Sequence, residues 1–435
     1  MTSYKVAMVS LGCAKNLVNS EQMMFLLSEA GFDVTGLADC ADAVVINTCG
    51  FIESAKMEAI ETIIEFGQKK KEGLVGKIIV AGCLPERYKH EIMWEMPEID
   101  AIVGVGSFDD IVSAVKSALE GKQKPMLFGR IDSPVSETGR ILSSSKVWTY
   151  LKIAEGCDNR CAFCAIPDIR GRFRSRPIEN VIKEANGLAG RGIKEIIIVA
   201  QDVTRYGLDL YGRRRLTELL AGLCDIEGLR WIRLHYLYPD EIDDGLIDFI
   251  AGNEKVLNYL DIPIQHINDS ILRNMRRRGT GGEIRSLIRR LRERIQGVVI
   301  RTSIIAGLPG EGEQEFDELC EFLADAKIER AGVFQYSPEE GTAAALMDMP
   351  DPDIAARRAE LITDIQLRVM DEFNKSRIGS VTPILVEGRE NGHCYGRSFA
   401  ESPEIDGYIT ILGDALEDDC FIDARITGLE EGVPV

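Results

Sequence analysis

The chain has 435 residues, 45% hydrophobic and 28% charged, the balance of an ordinary globular protein of two or three domains. Its net charge of −19 repels a nucleic-acid backbone in general, so RNA needs a local basic patch and a basic protein partner is electrostatically easier. Apolar runs such as 196–200 are far too short to span a bilayer, and the start, MTSYKVAMVSLGC, lacks a basic and apolar leader, which makes cytoplasm the expected location and a membrane partner unexpected.

Residues 1–120 alternate strand and helix signals. KVAMVSLGC, AVVINTC and KIIVAGC each read as a strand running into a cysteine, and AIVGVGS reads as a fourth strand. Helical stretches such as SEQMMFLLSEAG and FIESAKMEAIETIIEFGQKKK separate them. Such alternation is the signature of a parallel sheet covered on both faces. Cys13, Cys49 and Cys83 are spaced by 36 and 34 residues, about one βαβ unit each. They therefore converge at the carboxyl edge of the sheet, where open α/β sheets place their ligands. Three unrelated core cysteines, or a redox or catalytic thiol group, remain alternatives. Three thiolates without a fourth suit an iron–sulfur cluster with one open iron better than a closed structural zinc site.

Residues 121–146 lose periodicity and gain Ser, Pro and Gly, as a linker does. Residues 147–374 hold six strand candidates: TYLKIAE, EIIIVAQ, RWIRLHY, NYLDIPI, VIRTSII and GVFQYS. Six β/α units predict a partial, TIM-like (β/α)6 barrel, whose chemistry belongs on the loops after the strands. Cys157, Gln201-Asp202, Tyr236, Tyr238, Gln265-His266, the segment 307–311 and Ser337-Pro338 all fall there. Residues 375–435 turn to short strands with Gly, Pro and Asp turns, which predicts a small antiparallel β-barrel or sandwich. The fold class is α/β, with this β domain at the end.

Residues 153–167 read IAEGCDNRCAFCAIP, with Cys157, Cys161 and Cys164 in a CxxxCxxC loop. No His or Cys follows closely as a fourth zinc ligand, so zinc would need a distant one. Three cysteines on one short loop suit a 4Fe–4S cluster with one open iron. With Phe163 before the last cysteine, the motif resembles the radical S-adenosylmethionine superfamily. That resemblance implies S-adenosylmethionine on the open iron, its reductive cleavage to a 5′-deoxyadenosyl radical, and hydrogen abstraction from an unactivated carbon. The cofactor carries that chemistry and the barrel positions and shields it.

The whole arrangement is similar to the methylthiotransferases, and the similarity covers essentially the full chain. It implies two 4Fe–4S clusters, an auxiliary one on Cys13, Cys49 and Cys83 and the radical one on Cys157, Cys161 and Cys164. It also implies a carboxyl-terminal TRAM module, two S-adenosylmethionine molecules per product, and an electron donor such as flavodoxin or ferredoxin. SLGCAKNLVNSE at 10–21, NTCGFIESAK at 47–56, GCLPERY at 82–88, IPDIRGRFRSRP at 166–177, AQDVTRYGLDLY at 200–211 and GRSFAESPEIDGYI at 396–409 resemble the protein-modifying branch. That branch adds a methylthio group to the β-carbon of an aspartate in small-subunit ribosomal protein S-twelve. The alternative is the branch that modifies an adenosine of tRNA.

Charge favours the protein branch. Residues 375–435 carry five basic and twelve acidic residues, a net of −7, which suits a basic ribosomal protein and makes RNA contact secondary. Arg170, Arg172, Arg174 and Arg176 alternate and, if extended, share one face that binds an anion or is merely solvated. The resemblance further suggests cofactor contacts from the backbone of Phe163 and from Gly307, Gly310 and Glu311. The barrel reading adds Gln201 and Gln265, with internal hydrogen bonds as the alternative role. The four histidines are too scattered for a metal site. Cys40, Cys224, Cys320, Cys394 and Cys420 show no ligand spacing, and Cys224 and Cys320 belong to helical core.

Overall fold

The computed structural model describes residues 4–121, 124–390, 393–412, 420–430 and 432–435. Its first sheet contains β1 (Lys5–Ser10), β2 (Asp33–Thr35), β3 (Ala41–Thr48), β4 (Val75–Gly82), β5 (Ala101–Gly104) and β6 (Met126–Leu127). All pair in parallel in the order β2-β1-β3-β4-β5-β6. Alternate residues of each strand point to opposite faces. Val44, Ile46, Ile78 and Val80 pack with Ala59, Ile63 and Phe66 of the helix Glu53–Lys71. Val45, Ile79 and Val103 pack on the other face with Met23, Leu27, Ala114 and Val115. Each fully buried aliphatic side chain contributes about 1.5–3 kcal/mol. β2 and β6 were not expected from the sequence. β6 falls in the stretch read as linker, and its two residues are too few for a periodic signal.

The second sheet contains β7 (Trp148–Lys152), β10 (Glu195–Val199), β11 (Trp231–Leu234), β12 (Val256–Asp261), β13 (Val299–Ala306) and β14 (Arg330–Gln335). They pair in parallel and in chain order, and the two edge strands do not pair with each other. This is the open six-stranded barrel the strand count predicts. β8 (Ala154–Glu155) and β9 (Arg174–Ser175) form a small antiparallel pair beside the cysteine loop. Outward residues such as Ile196 and Ile198 pack with the surrounding helices.

Inside the barrel the filling is unusual in its origin. Tyr150, Ile197, Val199 and Tyr259 form one cluster with Val18 from the first domain and with Leu385 and Ala400 from the last. Glu195, fully buried, accepts from Arg233 Nε at 2.7 Å and from Arg397 Nη2 at 2.7 Å. Arg233 Nη1 donates to the Phe399 carbonyl at 2.8 Å, and Tyr150 Oη donates to Glu404 at 2.8 Å. Residues 397–406 thus line the barrel interior. A buried acid between two guanidiniums is strongly destabilised when one partner is removed.

The last domain is a four-stranded antiparallel sheet of β15 (Val381–Glu390), β16 (His393–Arg397), β17 (Ile409–Ile411) and β18 (Phe421–Arg425) in the order β17-β16-β15-β18. The helix Pro352–Ser376 leads into it. Among the described residues no helix is long and apolar enough to cross a membrane.

Candidate active site

Cys13 is the N-cap of the helix Ala14–Glu29, Cys49 follows β3 directly, and Cys83 opens the helix Cys83–Tyr88 after β4. The three turns touch. A Cβ on Gly12 would lie 2.6 Å from Cys49 Cβ, and one on Gly50 would lie 2.8 Å from Leu84 Cα. Two asparagines bind the turns together. Asn16 Nδ2 donates to the Thr48 carbonyl at 2.9 Å, and Asn47 Nδ2 donates to the Asn16 carbonyl at 2.9 Å. Thr48 Oγ1 donates to the Ala81 carbonyl at 2.7 Å, tying in β4.

The thiols differ electrostatically. Burial pushes Cys13 up, but Lys15 and Arg170 with the amides of the helix start hold it below the ordinary thiol value. Burial and the neighbouring Cys83 and Cys13 push Cys49 up to about 12. Burial also raises Cys83, against the pull of Arg170.

Across from these turns lies the loop after β7 and β8. The Cys157 amide donates to the Gly171 carbonyl at 3.1 Å, and the Asn159 amide faces Cys157 Sγ at 3.5 Å. Ala162 is pinned on both sides, its amide on the Met275 carbonyl at 2.9 Å and its carbonyl on the Ala344 amide at 2.8 Å. Cys161 Sγ has two polar neighbours, Arg277 Nη1 at 3.8 Å and Tyr238 Oη at 3.9 Å. Burial raises Cys157 to about 11 and Cys164 further.

The two cysteine sets face one another. Ala165 and Ile169, just after Cys164, pack with Cys83 and Val105. Arg170, 1% exposed, donates from Nε to Cys83 Sγ at 3.3 Å and from Nη1 to Glu155 at 2.8 Å. Glu155 also accepts from Lys152 at 3.0 Å and from Gln201 Nε2 at 3.1 Å. On the other flank Arg87 and Lys56 of the first domain meet Glu339 of the barrel at 2.8 and 3.2 Å.

The four arginines do not share one extended face, contrary to the expectation from their alternation. Arg170 ends the helix Ile166–Arg170, and Arg176 is buried against Glu137 and Glu184 at 2.6 Å each. These two are internal ties rather than one extended face, because Glu155 beside the cysteine loop takes Arg170, and Glu137 of the linker with Glu184 of a barrel helix takes Arg176. Missed altogether were Lys15, Lys152, Glu155, Asn16 and Glu339. Glu155 and Lys15 had a signal, since each lies two residues from a cysteine at a strand end.

The remaining expected contacts are dispersed around the mouth. Phe163 and Leu308 join one apolar cluster, which brings the 307–311 turn to the cysteine loop. Gly307 has φ +79 and packs against Ala355, and Gly310 has φ +85. The Glu311 carboxylate is turned inward, accepting from the Gly307 amide at 3.0 Å and from Arg358 at 3.0 Å. Gln265 has a left-handed backbone with φ 71 and bridges to Ile304.

The donor set fits iron–sulfur chemistry. Each side offers three thiols with polar donors at the sulfurs, and Lys15, Lys152 and Arg170 surround the single carboxylate of Glu155. Buried positive charge in excess requires an anionic group beside it. Among the described residues no group of three His, Cys, Asp or Glu is arranged to hold a single metal ion. In a cluster each thiolate takes a different iron, which demands a wider spacing than one ion does.

Residues 5–104 match the Uncharacterized protein family UPF0004, residues 151–323 the Radical SAM superfamily, and residues 378–432 the TRAM domain. The open barrel with its CxxxCxxC loop therefore defines a radical S-adenosylmethionine enzyme. A relative from Clostridium botulinum (strain Langeland), named ribosomal protein uS12 methylthiotransferase RimO, is 45% identical over 94% of this chain and 92% of its own. One from Acetivibrio thermocellus with the same name is 45% identical over 98% and 96%. The chain belongs to this RimO family of radical S-adenosylmethionine methylthiotransferases. Among solved structures, the radical S-adenosylmethionine methyltransferase TsrM from Kitasatospora setae superposes with a TM-score of 0.58 at 16% identity, over 78% of this chain and 77% of that one, a likeness of fold.

Proposed function

We propose that the protein adds a methylthio group to the β-carbon of an aspartate in ribosomal protein uS12, in the cytoplasm, using two S-adenosylmethionine molecules and two 4Fe–4S clusters. Cys157, Cys161 and Cys164 hold the radical cluster, and Cys13, Cys49 and Cys83 hold the auxiliary one. Bound there, these groups supply a carbon-centred radical and the sulfur to be transferred. The observation that carries the reading is the Arg170 bridge, which sets the two cysteine trios at facing strand ends. The substrate assignment is supported by the names of the relatives.

The chain's own residues do the rest. The asparagine pair keeps three strand-end turns in one geometry, and Arg170 joins them to the radical loop. Tyr238 and Arg277 place hydrogen-bond donors at Cys161, which favours the more reduced cluster. Phe163 and the 307–311 turn close the mouth against water, and Gln201 and Gln265 line it. Reduction comes from a one-electron protein donor such as flavodoxin or ferredoxin.

Reconstituted enzyme is incubated with reductant, S-adenosylmethionine and either uS12 or tRNA. A methylthio mass gain on uS12 alone is expected, together with about eight iron and eight sulfide per chain, as two such clusters require. Modification of tRNA alone would sink the substrate assignment.

A further inference from the structure

Three basic side chains surround Glu155, and two of them are engaged with it. Lys152 donates to Glu155 at 3.0 Å and Arg170 at 2.8 Å. Lys15 is different. The residue is 8% exposed, yet among the described residues its ammonium makes no hydrogen bond and no ion pair. It lies over the ring of Tyr236, 4.0 Å from the centroid. A ring face supplies part of the missing solvation but no acceptor. An ammonium on so buried a residue, without an oxygen partner from the described residues, has lost much of its hydration and suits an incoming anion.

Its position bears on which anion that is. Lys15 stands two residues after Cys13 in the first domain, while Tyr236 stands at the end of β11 in the barrel. The ammonium therefore reaches from the Cys13 turn of the first domain across to the barrel. It does not hydrogen-bond Cys13 Sγ, whereas Arg170 does reach Cys83 Sγ at 3.3 Å. Tyr236 is held under it in a left-handed backbone, φ 61, with the Leu237 amide on the Asp261 carbonyl at 2.8 Å. Non-glycine residues held in that region cluster where a ligand is clamped.

We infer that Lys15 is the residue that binds the side-chain carboxylate of the substrate aspartate and so selects aspartate over its neutral isostere. The inference rests on the function proposed above. Its chemical sense is direct. The β-carbon of aspartate is bonded to the carboxylate carbon, so a carboxylate seated on Lys15 fixes the reacting carbon one bond away, in the seam between the two sulfur-rich sites. The carboxylate in turn gives the ammonium the hydrogen-bonding oxygen it lacks among the described residues.

The test uses reconstituted holoenzyme and two fluorescently labelled uS12-derived peptides, one with the target aspartate and one with asparagine there. Binding is read by anisotropy. Wild-type enzyme is expected to prefer the aspartate peptide by about tenfold, as a charge-assisted hydrogen bond in a buried site gives. In Lys15→Met the preference should collapse to near unity with iron and sulfide content unchanged, and Lys15→Arg should restore part of it. A Lys15→Met enzyme that keeps the wild-type preference overturns the inference. So does one that loses about half its iron, because Lys15 then belongs to the auxiliary cluster. If wild-type enzyme neither binds nor modifies the aspartate peptide, the function proposed above fails, which is a different result.

Discussion

The Nε of Arg170 sits 3.3 Å from the Sγ of Cys83, a barrel guanidinium on a first-domain thiol. Arg170 also holds Glu155, so one buried cation joins two domains and two cysteine loops. Arg170→Met leaves Glu155 short of a partner in a buried setting. A loss of about 3–5 kcal/mol is expected from urea unfolding. Auxiliary iron should fall in the same variant while the radical-loop iron stays.

The two cysteine sets separate by function. Replacing Cys157, Cys161 or Cys164 by Ala should abolish 5′-deoxyadenosine formation, read by chromatography. Cys49→Ala should keep that cleavage and lose methylthio product. Methylthio product from Cys49→Ala would refute the auxiliary assignment.

The last domain is fastened through Glu195, which pairs with both Arg233 and Arg397. Glu195→Ala leaves the buried Arg233 without its acid and Arg397 with Glu387 alone, and should cost about 3–5 kcal/mol. Limited proteolysis near residues 376–380, where the long helix meets the last domain, should accelerate in step.

Gly307 tests the turn that packs against the cysteine loop. A Cβ there would lie 2.3 Å from Ala355 Cβ, at a φ of +79 that side chains resist. Gly307→Ala should cost about 2–4 kcal/mol from backbone strain and overpacking together. Adding Ala355→Gly should return the overpacking share, which calorimetry of the single and double variants resolves.

His235 gives a pH signature. Burial, then Arg233 and Arg301, holds its pKa well below the ordinary 6.5, and its Nε2 pairs with Ser402 Oγ at 2.9 Å. Below pH 6.5 the unfolded chain takes up a proton at this site and the folded chain does not. Stability present at pH 7 therefore falls by about 1.4 kcal/mol per pH unit through that window. Burial also raises carboxyls such as Asp202, Asp261 and Glu387, so the effect is isolated by comparing the wild-type slope between pH 5 and 6.5 with that of a His235 variant. His235→Asn should flatten that slope.

Folding turns several acidic residues of the last domain inward. Of the acidic residues counted in 375–435, Glu387 and Glu401 pair with Arg397 and Arg377, Glu404 takes the Tyr150 hydroxyl, and Asp406 takes that of Tyr259. These four carboxylates face partners within the protein rather than a docking protein. Asp414, Glu417, Asp418, Asp419 and Glu431 lie outside the described residues.

By itself the sequence determined the three-part architecture, the six barrel strands and the two cysteine sets. Strand–helix alternation and spacing are local properties, written in residues close along the chain. Tertiary structure alone decided that the 397–406 segment lines the barrel and that Arg170 bridges the domains. It also decided that the Lys15 ammonium stands over the ring of Tyr236, with no hydrogen-bond partner among the described residues. Those relations join residues far apart in the chain, and a buried charge declares its partner only when folding removes water from both.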